Sequence, residues 1–502
     1  MLTSTSALAD FATAALSSPS PPHAIFKFGH DDLLRSLPEK AFLGGDDSGD
    51  DSLSLTAVSN TIGMDGLVFT REIEQELRRA FDLEVVAQNI ESRRRLLRNV
   101  RKWALEGLRD ESLVVALSHP LPSPSLTEES SNGAPSPPTL ASKKSRCITA
   151  RQARSVLANA FLRNINDVMK TEKDPSNCGG LDFRRLFMGN SGDCGSQKLA
   201  CLLLYFEACG SILEDTEDDD RVITFERIRY LPSRMDSLVK DMRGEKGKHS
   251  CGRFIGDGVH LHSGPMESPP RPAGAFVNFA NPNFGYGKCI PSATQEEIMQ
   301  MCCPEFNVGM LFIGKMGDDE VVNVCSVRRF CQYSGFLDSF MCKGLVPHLD
   351  RAASLETVMT MDACTYSHFS KKMIQRDICK AYHCFREYAL DSLGLTAESS
   401  IPHQQYPIIS TGKWGCGVFG GRPAHKLVQQ ACAANLAGVD LQFSTFHNDD
   451  GCSKVLAALQ SRRLKADDVL PLLYNGTDYE HFFANIVGDE KKIRVSVYPP
   501  DH

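Results

Sequence analysis

Residues 406–435 read YPIISTGKWGCGVFGGRPAHKLVQQACAAN, and their pattern indicates the fold class. A β-rich start, a glycine-rich loop and an apolar helical pattern predict one strand-loop-helix unit of an α/β protein. Gly415, Gly417 and Gly420 match the spacing GxGxxG, in which N–H groups of the loop bind a diphosphate. A nicotinamide-dependent dehydrogenase is disfavoured, because Asp440 stands at the start of the following strand, whereas such enzymes place their ribose-binding acid after it.

A second loop joins a predicted strand to a predicted helix in FVNFANPNFGYGKCIPSATQEEIMQ, residues 276–300. The helix is expected to begin near Gln295, with Ser292 and Gln295 at the spacing of a capping box. Glu296 and Glu297 then lie in the first helical turn, where acids also complement the helix dipole, so the spacing alone leaves two roles open. Consecutive helical residues point roughly 100° apart. In a glycosidase site, one acid would therefore protonate the leaving oxygen and would need a raised pKa.

Short β-rich runs alternate with helical runs through the C-terminal half of the chain. This alternation predicts an α/β domain of three layers with a mixed or largely parallel sheet. Its ligand is expected where glycine-rich loops leave the carboxyl ends of strands. The runs predicted as β-rich are GAFVNFAN (274–281), VGMLFIG (308–314), EVVNVCSV (320–327), YPIIST (406–411) and VDLQFSTF (439–446), and helices are predicted upstream at 156–165 and 199–209.

The N-terminal region is organised differently. Residues 1–60 are rich in Ser, Ala, Pro and Asp, which predicts disorder. Residues 71–108 have the spacing of an amphipathic helix, and a Pro/Ser-rich linker is predicted over 119–146. The basic run at 93–102 is interpreted as a solvated helix face rather than a polymer-binding site.

Composition narrows the function class. A formal net charge of -7 disfavours a protein whose main partner is a nucleic-acid backbone. The 18 cysteines are scattered without a framework spacing and are interpreted as mostly reduced thiols. The N-terminus lacks the basic region of a secretory signal, and no apolar run reaches the ~18 residues of a spanning helix. We therefore expect a protein of the nucleus or the cytoplasm.

Together these segments resemble the poly(ADP-ribose) glycohydrolase family over about residues 147–450. Asn281, the loop Gly285-Tyr286-Gly287 and Gln295-Glu296-Glu297 keep the spacing of that family's three-glycine loop and Gln-Glu-Glu motif. TGKWGCGVFGG at 411–421 is similar to its diphosphate loop. The resemblance implies a three-layer, macrodomain-like mixed sheet flanked by helices, with an N-terminal helical accessory region. The expected division is a low-complexity segment at 1–60, a helical accessory segment at 61–118, a linker at 119–146, a helical accessory part of the catalytic domain at 147–240 and the macrodomain-like catalytic domain at 241–502.

The same resemblance implies hydrolysis of the ribose-ribose O-glycosidic bonds of poly(ADP-ribose) from the chain end, with release of ADP-ribose and without a cofactor or metal. Glu297 is implied as the acid that protonates the leaving oxygen and then as the base for the attacking water. Glu296 and Asn281 are implied to bind ribose hydroxyls, and the loop from Gly415 to Phe419 to bind the diphosphate. The remaining substrate-binding residues that the resemblance implies are Gly285, Tyr286, Gly287, Gln295, Tyr333, Phe336, Lys413, Cys416, Gly417, Val418 and Phe446.

Three of these aromatics, Tyr333, Phe336 and Phe446, stand in loop-like positions where packing is the commoner role and stacking on adenosine the alternative. The implied partners are poly(ADP-ribose) and ADP-ribosylated proteins, in the DNA damage response. The protein is expected to be a monomer that binds neither DNA nor a membrane.

Three residues depart from the family pattern. Tyr286 replaces the middle glycine of the loop, Asn278 stands where the family has Asp, and Lys413 replaces an Asn of the diphosphate loop. Lys413 is expected to add a phosphate contact, whereas Tyr286 is expected to narrow the ribose pocket. Two rival hypotheses remain: a module that binds ADP-ribose without turnover because of Tyr286, and an enzyme for terminal or single ADP-ribose links. No residue is assigned to recognise the adenine.

Overall fold

The computed structural model describes residues 79–126, 141–165, 180–231, 253–396 and 406–488, apart from gaps at 87–88, 163, 182, 184–185, 187–192, 215, 288 and 352–354. The predicted low-complexity segment at 1–60 lies outside the described residues, and so does the start of the predicted N-terminal helix at 71–78.

Eight of the ten described strands form one mixed sheet. The ten strands are β1 (Ala141–Thr149), β2 (Val222–Tyr230), β3 (Val259–His262), β4 (Ala275–Ala280), β5 (Glu320–Arg328), β6 (Cys331–Ser334), β7 (Met341–Leu345), β8 (Leu355–Asp362), β9 (Ile408–Thr411) and β10 (Asp440–Ser444). The sheet order is β1-β2-β5-β8-β4-β9-β10-β3, and β6 and β7 form a separate antiparallel pair. Strands β8, β4, β9, β10 and β3 pair in parallel, whereas β1, β2 and β5 add an antiparallel side.

Helices flank this sheet. The described α-helices are α1 (Ile90–Arg109), α2 (Glu111–Leu117), α3 (Ala150–Phe161), α4 (Asp193–Cys209), α5 (Gln295–Cys302), α6 (Lys371–Leu393), α7 (Pro423–Ala437), α8 (Cys452–Ser461), α9 (Ala466–Tyr474) and α10 (Tyr479–Val487). Helix α6 packs on β8 and β5 and against α7, which contacts β10, while α5 packs on β4. The predicted three-layer α/β fold with an N-terminal helical region is confirmed.

The helical region packs through a shared aromatic cluster. Helix α4 is apolar on nearly all sides and almost entirely buried, as expected for a helix at the centre of a core. Its Phe206 contacts the Trp103 ring of α1 at a centroid distance of 6.1 Å and the Phe161 ring of α3 at 5.6 Å. Helix α4 also packs on α5 and β7, so the helical region reaches the glycine-rich loops described below.

Two predicted elements differ in the structure. VGMLFIG does not form a strand, because its first residues belong to the 3₁₀ helix Pro304–Leu311. This segment is fully buried, and a short buried apolar run does not distinguish a strand from a helix. The helix predicted over 71–108 is interrupted, since Asn89 caps α1 by accepting a hydrogen bond from the Ser92 N–H at 2.8 Å.

The predicted linker at 119–146 extends too far, because β1 begins at Ala141 and pairs along its whole length with β2. β1 is an edge strand with exposed Lys143 and Lys144, and charged edge strands have a composition close to that of a linker. Strands β1 and β2 belong to the same eight-stranded sheet as β3, β4, β5, β8, β9 and β10, whereas the sequence placed the domain border near 240. The division into domains stays a prediction. None of the described helices is long and apolar enough to cross a membrane.

Candidate active site

Three loops leave the same edge of the sheet. Strands β4, β9 and β10 run parallel, with β9 between β4 and β10, so their carboxyl ends lie side by side. The loops that follow are 281–294, which we call the glycine loop, 412–422, the diphosphate loop, and 445–451, the Phe446 loop. The predicted site residues of the two sequence motifs therefore meet at one edge, where ligands bind in parallel α/β sheets.

The glycine loop turns through two residues with left-handed backbone. Gly285 has φ 61° and Tyr286 has φ 57°, a conformation that costs a non-glycine residue roughly 1–2 kcal/mol. Gly285 is closely packed, since an added Cβ would lie 2.8 Å from the Met310 Cγ. Its carbonyl accepts a hydrogen bond from the buried Gln300 side chain at 2.5 Å. The turn is therefore fixed by the helix α5 that follows it.

Glu296 is bound by this loop. The Asn281 N–H donates to its Oε2 at 2.9 Å, the Asn278 amide donates to its Oε1 at 3.3 Å, and the Tyr286 N–H also donates to the carboxyl group. Burial raises the pKa of Glu296 to about 8, with a further contribution from the charge of Glu297, although the hydrogen bonds oppose the shift. Glu296 therefore keeps its proton at neutral pH.

Glu297 closes the first turn of α5. Thr294 is the N-cap, and its N–H donates to the Glu297 Oε2 at 2.8 Å, while its hydroxyl donates to the same oxygen. The capping box is thus Thr294–Glu297, and the predicted box Ser292–Gln295 is wrong. Ser292 and Thr294 both have a suitable acceptor three residues later, so the spacing fits twice.

Gln295 links the helix start to an acid that the sequence analysis missed. Its Oε1 accepts the Phe279 N–H at 2.6 Å, and its Nε2 lies 3.4 Å from the Glu267 Oε1. Glu267 is mostly buried and also accepts a hydrogen bond from the Tyr333 hydroxyl. It lies in the proline-rich segment MESPPRP, which has no periodic pattern. The sequence signal was an isolated acid two residues before a pair of prolines, which is too weak to indicate a site.

Phe336 and Phe446 form an aromatic pair at the rim. Their ring centroids lie 5.9 Å apart with an interplanar angle of 59°, and the two residues are 39% and 36% exposed. The Leu337 N–H donates to the Ala293 carbonyl at 2.9 Å, so the segment between β6 and β7 is attached to the glycine loop. Two partly exposed rings beside buried carboxyl groups offer apolar faces to a flat ligand.

The diphosphate loop is anchored at one end and open at the other. Buried Trp414 donates from Nε1 to the Met361 carbonyl at 2.8 Å, and Gly415 has φ 73° with no room for a side chain, since an added Cβ would lie 2.5 Å from the Ala363 Cβ. An added Cβ at Gly417 would meet nothing within 4 Å, and Val418 is 94% exposed. Within the part of the chain that the structure describes, no hydrogen bond engages the N–H groups of Gly417 or Val418.

Side chains from neighbouring elements hold this loop in place. The His368 Nε2 bonds to the Phe419 carbonyl at 2.7 Å. Lys413, expected to contact phosphate, instead pairs with Asp450 of the Phe446 loop at 2.6 Å. Cys416 is partly exposed, and its thiol contacts the Trp414 carbonyl at 3.6 Å. The loop is therefore held by contacts to neighbouring elements at both of its ends.

Comparison with known proteins gives two family matches in chain order. Residues 115–227 match the helical domain of poly(ADP-ribose) glycohydrolase, and residues 259–452 match its domain of the macro domain fold. Poly(ADP-ribose) glycohydrolase 1 of Caenorhabditis elegans is 24% identical over 360 residues, which are 66% of this chain and 44% of that protein. Probable poly(ADP-ribose) glycohydrolase 2 of Arabidopsis thaliana is 27% identical over 305 residues, 54% of this chain and 57% of that protein.

The chain spans about half the length of these curated relatives. The two matched regions nevertheless cover well over half of its 502 residues, and they include the glycine loop, α5, the diphosphate loop and the Phe446 loop. Because both the helical region and the sheet match models of one family, this protein belongs to the poly(ADP-ribose) glycohydrolase family, and its sheet domain has the macrodomain fold.

Proposed function

We propose that the protein hydrolyses the ribose-ribose O-glycosidic bonds of poly(ADP-ribose) and releases ADP-ribose from the chain end. The observation that carries this proposal is the position of two buried carboxyl groups, Glu296 and Glu297, at the same sheet edge as an open glycine-rich loop. A carboxyl group supplies the proton for the leaving oxygen, and loop N–H groups bind the phosphates of the same ADP-ribose unit.

The two carboxyl groups differ in how they are bound, which supports different roles. Both oxygens of Glu296 accept hydrogen bonds from the protein, so this group is occupied in shaping the glycine loop. The cap on Glu297 uses Oε2 for both donors from Thr294. Oε1 is not part of this cap. We therefore assign Glu297 as the general acid that protonates the leaving ribose oxygen and as the base that then deprotonates water.

Glu296 complements this role by staying neutral. With a pKa of about 8 it adds no negative charge next to the reacting carboxyl group at neutral pH. In this proposal the ribose hydroxyls contact Glu296 and its loop partner Asn281. Asn278 fits the same arrangement, because its amide donates to Glu296, whereas the Asp typical of the family would bring another acid.

The other proposed substrate contacts come from the aromatic pair Phe336 and Phe446 and from the diphosphate loop. The diphosphate would accept hydrogen bonds from the N–H groups of Gly417 and Val418, and the adenosine would lie against Phe336 and Phe446. Glu267 is hydrogen-bonded to Gln295 and to Tyr333 of the strand that precedes Phe336, and we assign it to the adenosine part of the site.

The second candidate function is a binding module without turnover, and Tyr286 is the observation that favours it. Its backbone is left-handed and its side chain is partly exposed at the turn of the glycine loop. A ring here narrows the approach to Glu296 and Glu297 in a place where a glycine leaves space.

Release of ADP-ribose from labelled poly(ADP-ribose) tests the proposal. The native chain is expected to release it, and Glu297→Gln is expected to reduce the rate by about 10²–10⁴-fold with ADP-ribose affinity retained. Glu480→Gln, an exposed helix position, is the matched control and should retain the native rate. Binding of polymer with no release by the native chain would support the binding module instead. If the native chain cleaves only single ADP-ribose links on proteins, then those links, and not the polymer, are its substrate.

The setting of this activity is also a proposal. We infer that ADP-ribosylated proteins carry the substrate, that the chain acts as a monomer in the nucleus or the cytoplasm, and that it serves the DNA damage response. The support is the net charge of -7 and the family's chemistry. Light scattering of the purified chain and imaging of a tagged chain before and after DNA damage test these points, and a dimer or an unchanged distribution would count against them.

A further inference from the structure

Three buried cysteines converge beneath the hairpin that carries the aromatic rim. Cys201 lies on α4, Cys331 on β6 and Cys342 on β7. Their Sγ atoms all lie within 4.8 Å of one another, and none of the three residues is more than 4% exposed. The three elements come from distant parts of the chain, so this trithiol cluster is a tertiary feature rather than a sequence motif.

Hydrogen bonds next to the trithiol cluster connect the hairpin of β6 and β7 to helix α4. The Cys331 thiol contacts the Cys201 carbonyl at 3.6 Å, and the Cys342 N–H donates to the Gln197 Oε1 of α4 at 2.9 Å. The hairpin therefore rests on α4 through backbone and side-chain contacts next to the sulfurs. The sulfurs point into a common space because the elements on either side are already packed.

The donor set of the cluster is that of a structural metal site. Convergent cysteine sulfurs are the ligands that structural zinc sites use, and they bind the ion as thiolates.

We propose that Cys201, Cys331 and Cys342 form a structural site for a thiophilic divalent ion of the zinc class. Zinc binds thiolate sulfur at about 2.3 Å in a tetrahedral arrangement, which places sulfurs roughly 3.8 Å apart. The observed spacing needs a contraction of roughly 1 Å, within reach of side-chain rotation. Binding releases the three thiol protons to solvent and leaves three thiolates on the ion.

An ion at this site would act on the packing of the hairpin. An ion bound by α4, β6 and β7 connects the helical region to the segment that carries Tyr333 and Phe336. Its effect is expected in the stability of the chain, because a ligand that binds only the folded state raises the melting temperature as its concentration rises.

The test uses the full chain, reduced and stripped of metal, then supplied with Zn²⁺ and passed over a desalting column. The native chain is expected to retain one Zn²⁺, measured by mass spectrometry of the metal, and to melt at a higher temperature with it. The triple variant Cys201→Ala, Cys331→Ala, Cys342→Ala should lose the ion. Its matched control removes three other buried thiols, Cys209→Ala, Cys384→Ala and Cys432→Ala, and should retain it.

Cd²⁺ added to the native chain gives a readout that does not depend on how the variants fold, because Cd–thiolate absorption reports the number of sulfurs bound. Three sulfurs per ion, with loss of absorption in each single alanine variant, support the site. Retention of the ion by the cluster triple variant overturns the proposal, and so does a native chain that keeps no ion. A disulfide between two of these cysteines, with no ion bound after reduction, overturns it as well.

Discussion

The glycine loop and the diphosphate loop lie side by side but are built in opposite ways. The glycine loop directs its N–H groups inward, to a buried carboxyl group of its own chain. The diphosphate loop is anchored by buried Trp414, yet it leaves the N–H groups of Gly417 and Val418 without a partner in the described part of the chain. The first loop sets the protonation of an acid, and the second offers donors that a ligand must satisfy.

This contrast predicts that the two loops respond to different perturbations. A change of pH should act through the glycine loop, since its acid is buried and shifted. A change of backbone shape should act through the diphosphate loop, because its donors are useful only when they point in one direction.

The largest expected effect concerns Glu296 and pH. Between its ordinary pKa of 4.5 and the folded value of about 8, the folded chain holds a proton that the unfolded chain has released. Stability is therefore full below pH 4.5 and falls by about 1.4 kcal/mol per pH unit as the pH rises towards 8. Glu296→Gln keeps a neutral side chain and should flatten this slope, which denaturant unfolding at several pH values would measure.

The same titration should limit turnover. Above pH 8 the charge on Glu296 disfavours the carboxylate that Glu297 becomes when it donates its proton, so the rate is expected to fall on the alkaline side, and Glu296→Gln should remove that fall. A slope of stability that is identical in the native chain and in Glu296→Gln would show that another group titrates, and the division of roles between the two acids would fail.

Next in size is the shape of the diphosphate loop. Gly415→Ala forces a side chain into left-handed backbone and against Ala363, which should cost roughly 1–2 kcal/mol from the backbone alone and weaken ADP-ribose binding. Gly394→Ala is the matched control, because it also puts a side chain on left-handed backbone, but at the end of α6, where an added Cβ meets nothing. Calorimetry with ADP-ribose separates the two, and equal affinity in both variants would mean that the loop does not bind the diphosphate.

The aromatic rim should have a smaller effect. Phe446→Ala removes a ring that stands 5.9 Å from Phe336, and the loss of stacking on adenosine is expected to cost about 0.5–1.5 kcal/mol of binding energy. KM should rise with little change in kcat, since the ring lies at the rim and not at the carboxyl groups. Tyr366→Ala, an exposed aromatic on a different loop, is the control. A fall in kcat alone would place Phe446 nearer the reacting bond.

How far the sequence could predict these features depends on how local they are. The strand-loop-helix unit at 406–435 and the helix start at Gln295 depend on neighbouring residues, and both were predicted closely. The direction of Glu296 is not local, because it depends on N–H groups up to fifteen residues away along the chain. The Glu297 cap was misplaced by two residues because two hydroxyls share the same spacing.

Contacts between distant segments were beyond the sequence pattern. Glu267 meets Tyr333, which is 66 residues later in the chain, and the trithiol cluster joins three elements between positions 201 and 342. Neither has a spacing that a motif could match. VGMLFIG was misjudged for the opposite reason, since its composition suits a strand and the course of the chain after α5 places it in a buried 3₁₀ helix.

The smallest expected effect tests the link between the diphosphate loop and the Phe446 loop. Lys413 is paired with Asp450 and both are partly exposed, so the pair is worth about 0–1 kcal/mol. Lys413→Asn should therefore leave the melting temperature nearly unchanged and change ADP-ribose affinity only slightly, because the charge of Lys413 is already balanced.

Asp450→Asn is the sharper of the two substitutions, since it frees the Lys413 ammonium beside an open anion-binding loop. ADP-ribose affinity should then rise, and the rise should shrink as salt screens the new charge. Titrations at low and high salt measure both. If Lys413→Asn instead weakens ADP-ribose binding as strongly as Gly415→Ala, then Lys413 leaves Asp450 and contacts the diphosphate when the ligand binds. The Lys413–Asp450 pair would then belong only to the ligand-free form of the loop.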